Sequence, residues 1–165
     1  MAIVASDIHY RMSGGASNSD PALSTGGAES STSFTTNSIF DDVSSAEAVA
    51  GDIEYRCFYV HNAHGTLTLQ GAKVWISAQT SSATTDIAIA LDGAGLNGTA
   101  ETEVDESTAP TGESFTQPST FAGGLTLGDM APGDKYPVWI RRTITAGTAA
   151  ATDTWEISVQ GDTNP

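Results

Sequence analysis

Two histidines stand three residues apart in the stretch HNAH, His61 and His64. Neutral imidazoles so close can begin a metal site, but such a site needs further ligands, and none stands beside them at ligand spacing. They read as exposed loop histidines. The run GAGLNG (93–98) satisfies G-x-G-x-x-G and follows an apolar stretch that reads as a strand. A dinucleotide site also needs a helix opening there to hold the pyrophosphate; the acidic TAETEVDE follows instead, so the run reads as a glycine-rich turn. Carboxylates cluster at Asp41–Asp42 and in ETEVDE (101–106). They could bind calcium or exchange protons, but no EF-hand register is present, and they read as solvated acidic loops. No G-x-S-x-G elbow occurs, and Cys57 has no histidine at a known nucleophile spacing. Cys57 alternates in phase with Tyr55 and Tyr59, as a small buried residue would. No catalytic residue, metal ligand or cofactor site is assigned, and an enzyme is not expected.

The tryptophans carry more information. Trp155 is in phase with Ile157 and Val159. Trp75 and Trp139 are out of phase with the aliphatic residues beside them, and Arg141 shares the phase of Trp139. If Val74, Ile76, Val138 and Ile140 point into a core, then Trp75, Trp139 and Arg141 point away from it. Outward Trp and Arg are the types that anchor interfaces. Either these three residues contact a partner, or the long loop or the N-terminal lead folds back over them.

The elements that would hold these residues are strands. DIEYRCFYV (52–60), AKVWISAQ (72–79), DIAIAL (86–91), GLTL (124–127), YPVWIRRTI (136–144) and TWEISVQ (154–160) are rich in β-branched and aromatic residues. Most of them alternate with period two. APGD (131–134) suits a type II turn. One short helix is expected in SSAEAVAG (44–51), capped by Ser44 with Glu47 three residues on. The break over 92–123 is long for a compact domain; it is a functional loop or hides a strand near ESFTQ. The pattern predicts an all-β antiparallel sandwich. Residues 1–37 are read as an extended arm and tether, with Ile8, Tyr10, Arg11, Met12 and Leu23 as its contacts; the strand-like IHYRM (8–12) can pair with a sheet edge, the protein's own or a neighbour's. The domain is read as 38–165, with Ile39 and Phe40 as apolar pegs.

The chain has 165 residues, a net charge of −14 and only six basic residues. That balance argues against nucleic acid and against an anionic membrane surface. It favours solubility and partners that present positive or polar surface. One cysteine permits no intrachain disulfide, and no segment reads as a signal peptide or a membrane span. Synthesis in a reducing cytoplasm is expected.

The stretches AGDIEYRCFYVHN…LQGAKVWIS and LTLGDMAPGDKYPVWIRRTI are similar to the strand grammar of immunoglobulin-like modules. YRMSGGASNSDP, IFDDV and VWIRR resemble a group of small tailed-bacteriophage virion proteins. The resemblance implies a non-enzymatic structural protein on the virion exterior, made in the host cytoplasm. As a capsid decoration (cement) protein it would bind the major capsid protein, be present in many copies or as a homo-oligomer, and grip its neighbours with a terminal arm. A tail or baseplate component, or a carbohydrate- or host-cell-binding sandwich, are the alternatives. The resemblance assigns no individual residue a role.

Overall fold

The alternating stretches become strands over most of their expected lengths. The computed structural model describes residues 2–35, 38–147 and 153–163; Asn37, and part of TAGTAAATD (145–153), a small-residue loop by its composition, lie outside them. In chain order the elements are β1 (Ile8–Met12), β2 (Gly26–Gly27), α1 (Ser45–Ala50), β3 (Asp52–Asn62), β4 (Leu69–Ala78), β5 (Thr85–Leu91), β6 (Ala100–Thr102), β7 (Leu125–Met130), β8 (Lys135–Ile144) and β9 (Glu156–Thr163). The pairings build a four-stranded sheet, β1-β3-β8-β5, a three-stranded sheet, β7-β4-β9, and the small pair β2-β6. All are antiparallel. From β3 to β9, successive long strands fall in the two large sheets by turns, so none of them pairs with the next.

One apolar cluster draws on both large sheets. Phe58, Val60, Ile87, Ile89, Val138 and Ile140 come from the four-stranded sheet; Val74, Ile76, Leu127, Met130 and Ile157 come from the three-stranded one. Trp155 joins this cluster, as its phase predicted. Ile39 and Phe40 plug one end of it, both buried, which bears out their reading as pegs.

Local chemistry sets the connections. Ser44 caps α1 in a reciprocal box with Glu47, as the S-x-x-E spacing requires. At APGD, Gly133 takes φ +84° and the Asp134 N–H donates to the Ala131 carbonyl, the geometry of a type II turn. That turn joins β7 to β8 across the layers instead of making a hairpin. Fully buried Asn62 ends β3 and ties the corner, its amide donating to the carbonyls of Leu67 and Met130.

The outer face of the four-stranded sheet is roofed, and of the two sheet edges open to it the strand-like IHYRM takes the protein's own. Residues 8–12 are the edge strand of the protein's own sheet, with Tyr10 opposite Val60 and Met12 opposite Phe58. Beyond the reach of β1, the Cys57 and Tyr55 N–H groups donate to the carbonyls of Ser24 and Glu106. The lead and the long loop therefore continue the missing edge. The Tyr59 hydroxyl joins the two segments: it donates to the Gly27 carbonyl (2.6 Å) and accepts from the Ala100 N–H (3.0 Å). Burial pushes this phenol up to about 12 against the opposing bond from Ala100. Gly26 permits the β2-β6 approach; a Cβ there would meet the Glu101 carbonyl oxygen at 1.7 Å. The long loop thus holds strand β6, and within ESFTQ it forms a bridge between Thr116 and Ile89.

Candidate functional site

The outward phase expected for Trp139 and Arg141 is correct, but the surface is not free. Trp139 is fully buried in a second apolar cluster with Cys57, Tyr59, Ala90 and Ala100, and its indole N–H donates to the Asp92 carboxylate at 2.8 Å. Ala88 and Ala90 are small on this face, where the roof packs close. Arg141 is half-buried, its guanidinium 5.4 Å from the centre of the Phe115 ring. Fold-back of the loop and lead, the other reading of these residues, is what the structure contains; Trp139 is withdrawn as a partner contact.

The expected arm contacts are also turned inward. Ile8 and Tyr10 pack on the main core, where Tyr10 meets the rings of Phe34 and Phe58. Met12 is buried. Arg11 approaches Glu29 at 3.5 Å, and His61 and Lys135 reach the same carboxylate at 2.8 and 3.5 Å. Only Leu23 stands clear, at 61% exposure. His61 is therefore the tail of a strand in a charge cluster, not a loop histidine; His64 is half-buried, its Nδ1 accepting the N–H groups of Thr66 and Leu67.

Burial tends to raise the Glu29 carboxyl, but His61, Arg11 and Lys135 together outweigh it, and the group is held below its ordinary value. A carboxylate depressed in the fold adds stability above its unfolded pKa of about 4.5, and loses it as pH falls through the folded value. The lead should therefore loosen in acid. In urea titrations the difference in midpoint between the parent and Glu29→Gln should be full at pH 6–7 and shrink below about pH 4.5; a constant gap down to pH 3 would contradict the clamp.

One sheet face remains without a roof among the described residues. Trp75 lies on the outer side of the three-stranded sheet opposite Ser158, and Lys73 lies between Thr126 and Gln160. Ser77, Thr126 and Gln160 are exposed. Phe121 meets half-buried Trp75 edge-on at 5.8 Å, and Lys73 Nζ is 5.4 Å from the Phe121 ring centre. Phe121 itself is 38% exposed. This aromatic pair with its ammonium can stack on, or receive, an apolar group edged with acceptors. Of the body contacts read from sequence, Trp75 is the one that lies on this unroofed face. Phe121 was missed because no strand periodicity runs through the loop that carries it.

The second feature is a cleft of about 250 Å³ between Asp20–Ala22, Ser38–Asp41, Arg56 and Glu106. Its wall is a charged extension of the core-facing side of β3 and β8. Glu54 and Arg56 share the phase of Phe58, and Arg142 shares that of Ile140. Arg142 Nε donates to Glu54 and its Nη1 donates to the Asp41 carbonyl (2.6 Å); Arg56 pairs with Glu106. Both guanidiniums lie over the Phe40 ring, at 4.7 and 5.7 Å. Burial raises the Glu54 carboxyl in spite of Arg142. Asp41 and Glu106, expected in solvated runs, are thus ion-pair partners. Just past β6, a hydrogen bond from the protonated Glu103 carboxyl to Glu101 leads the causes that lift Glu103 to about 7.

All six basic residues are engaged within the molecule: Arg11 and Lys135 on Glu29, Arg56 on Glu106, Arg142 on Glu54, and Lys73 and Arg141 on aromatic rings. What remains for the surface is mostly carboxylate. No family model, curated protein or solved structure matches the chain.

Proposed function

We propose that the chain is a non-enzymatic structural protein of a tailed-phage virion, docking on the outside of the capsid shell through the open face of its three-stranded sheet. The observation that carries the docking surface is the asymmetry of the two sheets. One outer face is closed by 35 or so residues of lead and by the long loop; the other displays Trp75, Phe121 and Lys73. The phage assignment itself rests on the sequence resemblance. A non-catalytic role is supported by Cys57, fully buried with its thiol pushed well up, chiefly by burial. It is supported too by His61 and His64, each of whose Nδ1 atoms is tied to a structural partner. With its cations spent internally, the surface suits a basic or polar partner rather than nucleic acid.

We read the architecture as an immunoglobulin-like sandwich. Seven long strands in layers of four and three around one core support it. The strand order departs from that family: immunoglobulin sheets keep some consecutive strands as neighbours, whereas here the chain changes layer at every step from β3 onward.

The test is cryo-electron microscopy of washed particles from the phage that encodes the chain, with rebinding of purified protein to particles lacking it. The protein should occupy the shell exterior with Trp75 at the contact, and Trp75→Ala should weaken rebinding at least about tenfold while changing the fold little. Absence from washed particles, or rebinding unchanged by Trp75→Ala, overturns the proposal. Density on the tail would move the site to the tail reading. The half-buried Trp75 and exposed Phe121 also suit a sugar ring, and specific glycan-array binding lost in Trp75→Ala would favour a carbohydrate module.

A further inference from the structure

A second set of carboxylates lies at the end of the core, outside the docking face. Glu47 on α1 and Asp52 and Glu54 on β3 each offer an oxygen, and these oxygens all lie within 4.8 Å of one another. Asp52 and Glu54 are two apart on a strand, so they share a face. The capping box of α1 fixes Glu47, whose Oε2 accepts the Ser44 N–H. Asp52 Oδ1 accepts the Ile53 N–H. The independent observation is Glu54. It is fully buried, its Oε2 is taken by Arg142 Nε, and its Oε1 has no hydrogen-bond partner among the described residues. A buried carboxylate oxygen with nothing bound to it is costly unless a proton or a cation meets it.

Glu54 belongs to two triads, and the contrast between them selects the site. The triad of Asp41, Glu54 and Glu106 already has Arg142 and Arg56 paired to its members. In the triad of Glu47, Asp52 and Glu54, the only ion pair among the described residues is that of Arg142 with Glu54. Three acidic groups there face one shared guanidinium.

We propose that Glu47, Asp52 and Glu54 form a binding site for a hard divalent cation, calcium by its chemistry. The donors are all carboxylate oxygens, which calcium and magnesium prefer. Calcium accepts an irregular set of oxygens in a flexible sphere, whereas magnesium demands a near-ideal octahedron and gives up its waters reluctantly, so a cluster of side-chain carboxylates from a helix and a strand suits calcium better. Three protein carboxylates leave the remaining positions of a coordination sphere of about six to eight to water or carbonyl oxygen. An ion there would tie α1 to β3 and supply the partner that Glu54 lacks.

The experiment is calcium titration of the EDTA-treated full chain, followed by calorimetry and by thermal unfolding, with magnesium in parallel. Expected are one saturable site, a dissociation constant on the order of 10⁻⁴ M, and a rise in melting temperature of about 5 °C near saturation. Glu47→Gln and Asp52→Asn should each weaken binding at least about tenfold without lowering the melting temperature of the calcium-free protein, since each removes a charge from a repelling group. Asp41→Asn should bind as the parent does. The inference is overturned by the absence of heat and of a melting shift up to about 10 mM calcium, well above the expected constant. Unchanged binding in Asp52→Asn, or loss of binding in Asp41→Asn, overturns it equally.

Discussion

Replacing Arg142 with Ala is expected to destabilise the protein by about 3–5 kcal/mol, the usual cost of leaving a buried charge without its partner. Glu54 is fully buried, and Arg142 is the cation hydrogen-bonded to it. The same guanidinium donates to the Asp41 carbonyl and covers the face of Phe40. Its removal strands a carboxylate, frees the 38–43 segment and uncovers an aromatic ring in one step. Urea unfolding at pH 7 measures the loss. Burying ions is not in itself stabilising, so the double variant Glu54→Met/Arg142→Leu should recover much of it. Because burial raises the Glu54 carboxyl, the stranded charge is relieved by protonation; the deficit of Arg142→Ala should therefore narrow as pH falls. A single variant as stable as the parent would show that the pair carries no weight.

The second large effect is deletion of residues 2–12. A free arm could be removed with the melting temperature unchanged. Here the deletion takes away an edge strand paired over five residues with β3, together with Ile8, Tyr10 and Met12. It also strips the Tyr10 contacts from Phe34 and Phe58 and exposes the β3 edge to pairing with other chains. We expect loss of the cooperative thermal transition, or a fall in melting temperature of more than about 10 °C with aggregation. Retention of the parent transition in calorimetry would restore the arm.

These two predictions mark where the sequence could and could not be read. Period-two alternation located the strands, because a half-buried strand must alternate. The APGD turn, the Ser44–Glu47 box and the Ile39–Phe40 pegs were legible because each is local chemistry. The roof was not. Nothing in SGGASNSDPALSTGGAESS shows that it folds over β3, since it is held by backbone carbonyls, close glycine approaches and the ion pairs of Glu29, none of which has a periodicity. The inward arginine was missed for a related reason. Arg142 stands in phase with Val138 and Ile140, and a charge in a core-facing position is intelligible only once Glu54, far away in sequence, stands opposite. Asp52 and Glu54 share a strand face that the sequence shows, but the free oxygen that gives them meaning depends on which oxygen Arg142 takes.

The alternation of layers also governs how the protein comes into being. β3 pairs with β8, and β4 with β7 and β9, so the centres of both sheets wait for partners from the last third of the chain. Contacts so distant in sequence make folding slow, on the order of milliseconds to seconds. On a ribosome, β3 and β4 emerge long before β8 and β9 exist to receive them. Residues 8–12 do exist by then. Of the two strands that flank β3 in the finished sheet, β1 is thus the one already made when β3 emerges, and β8 is the one still to come.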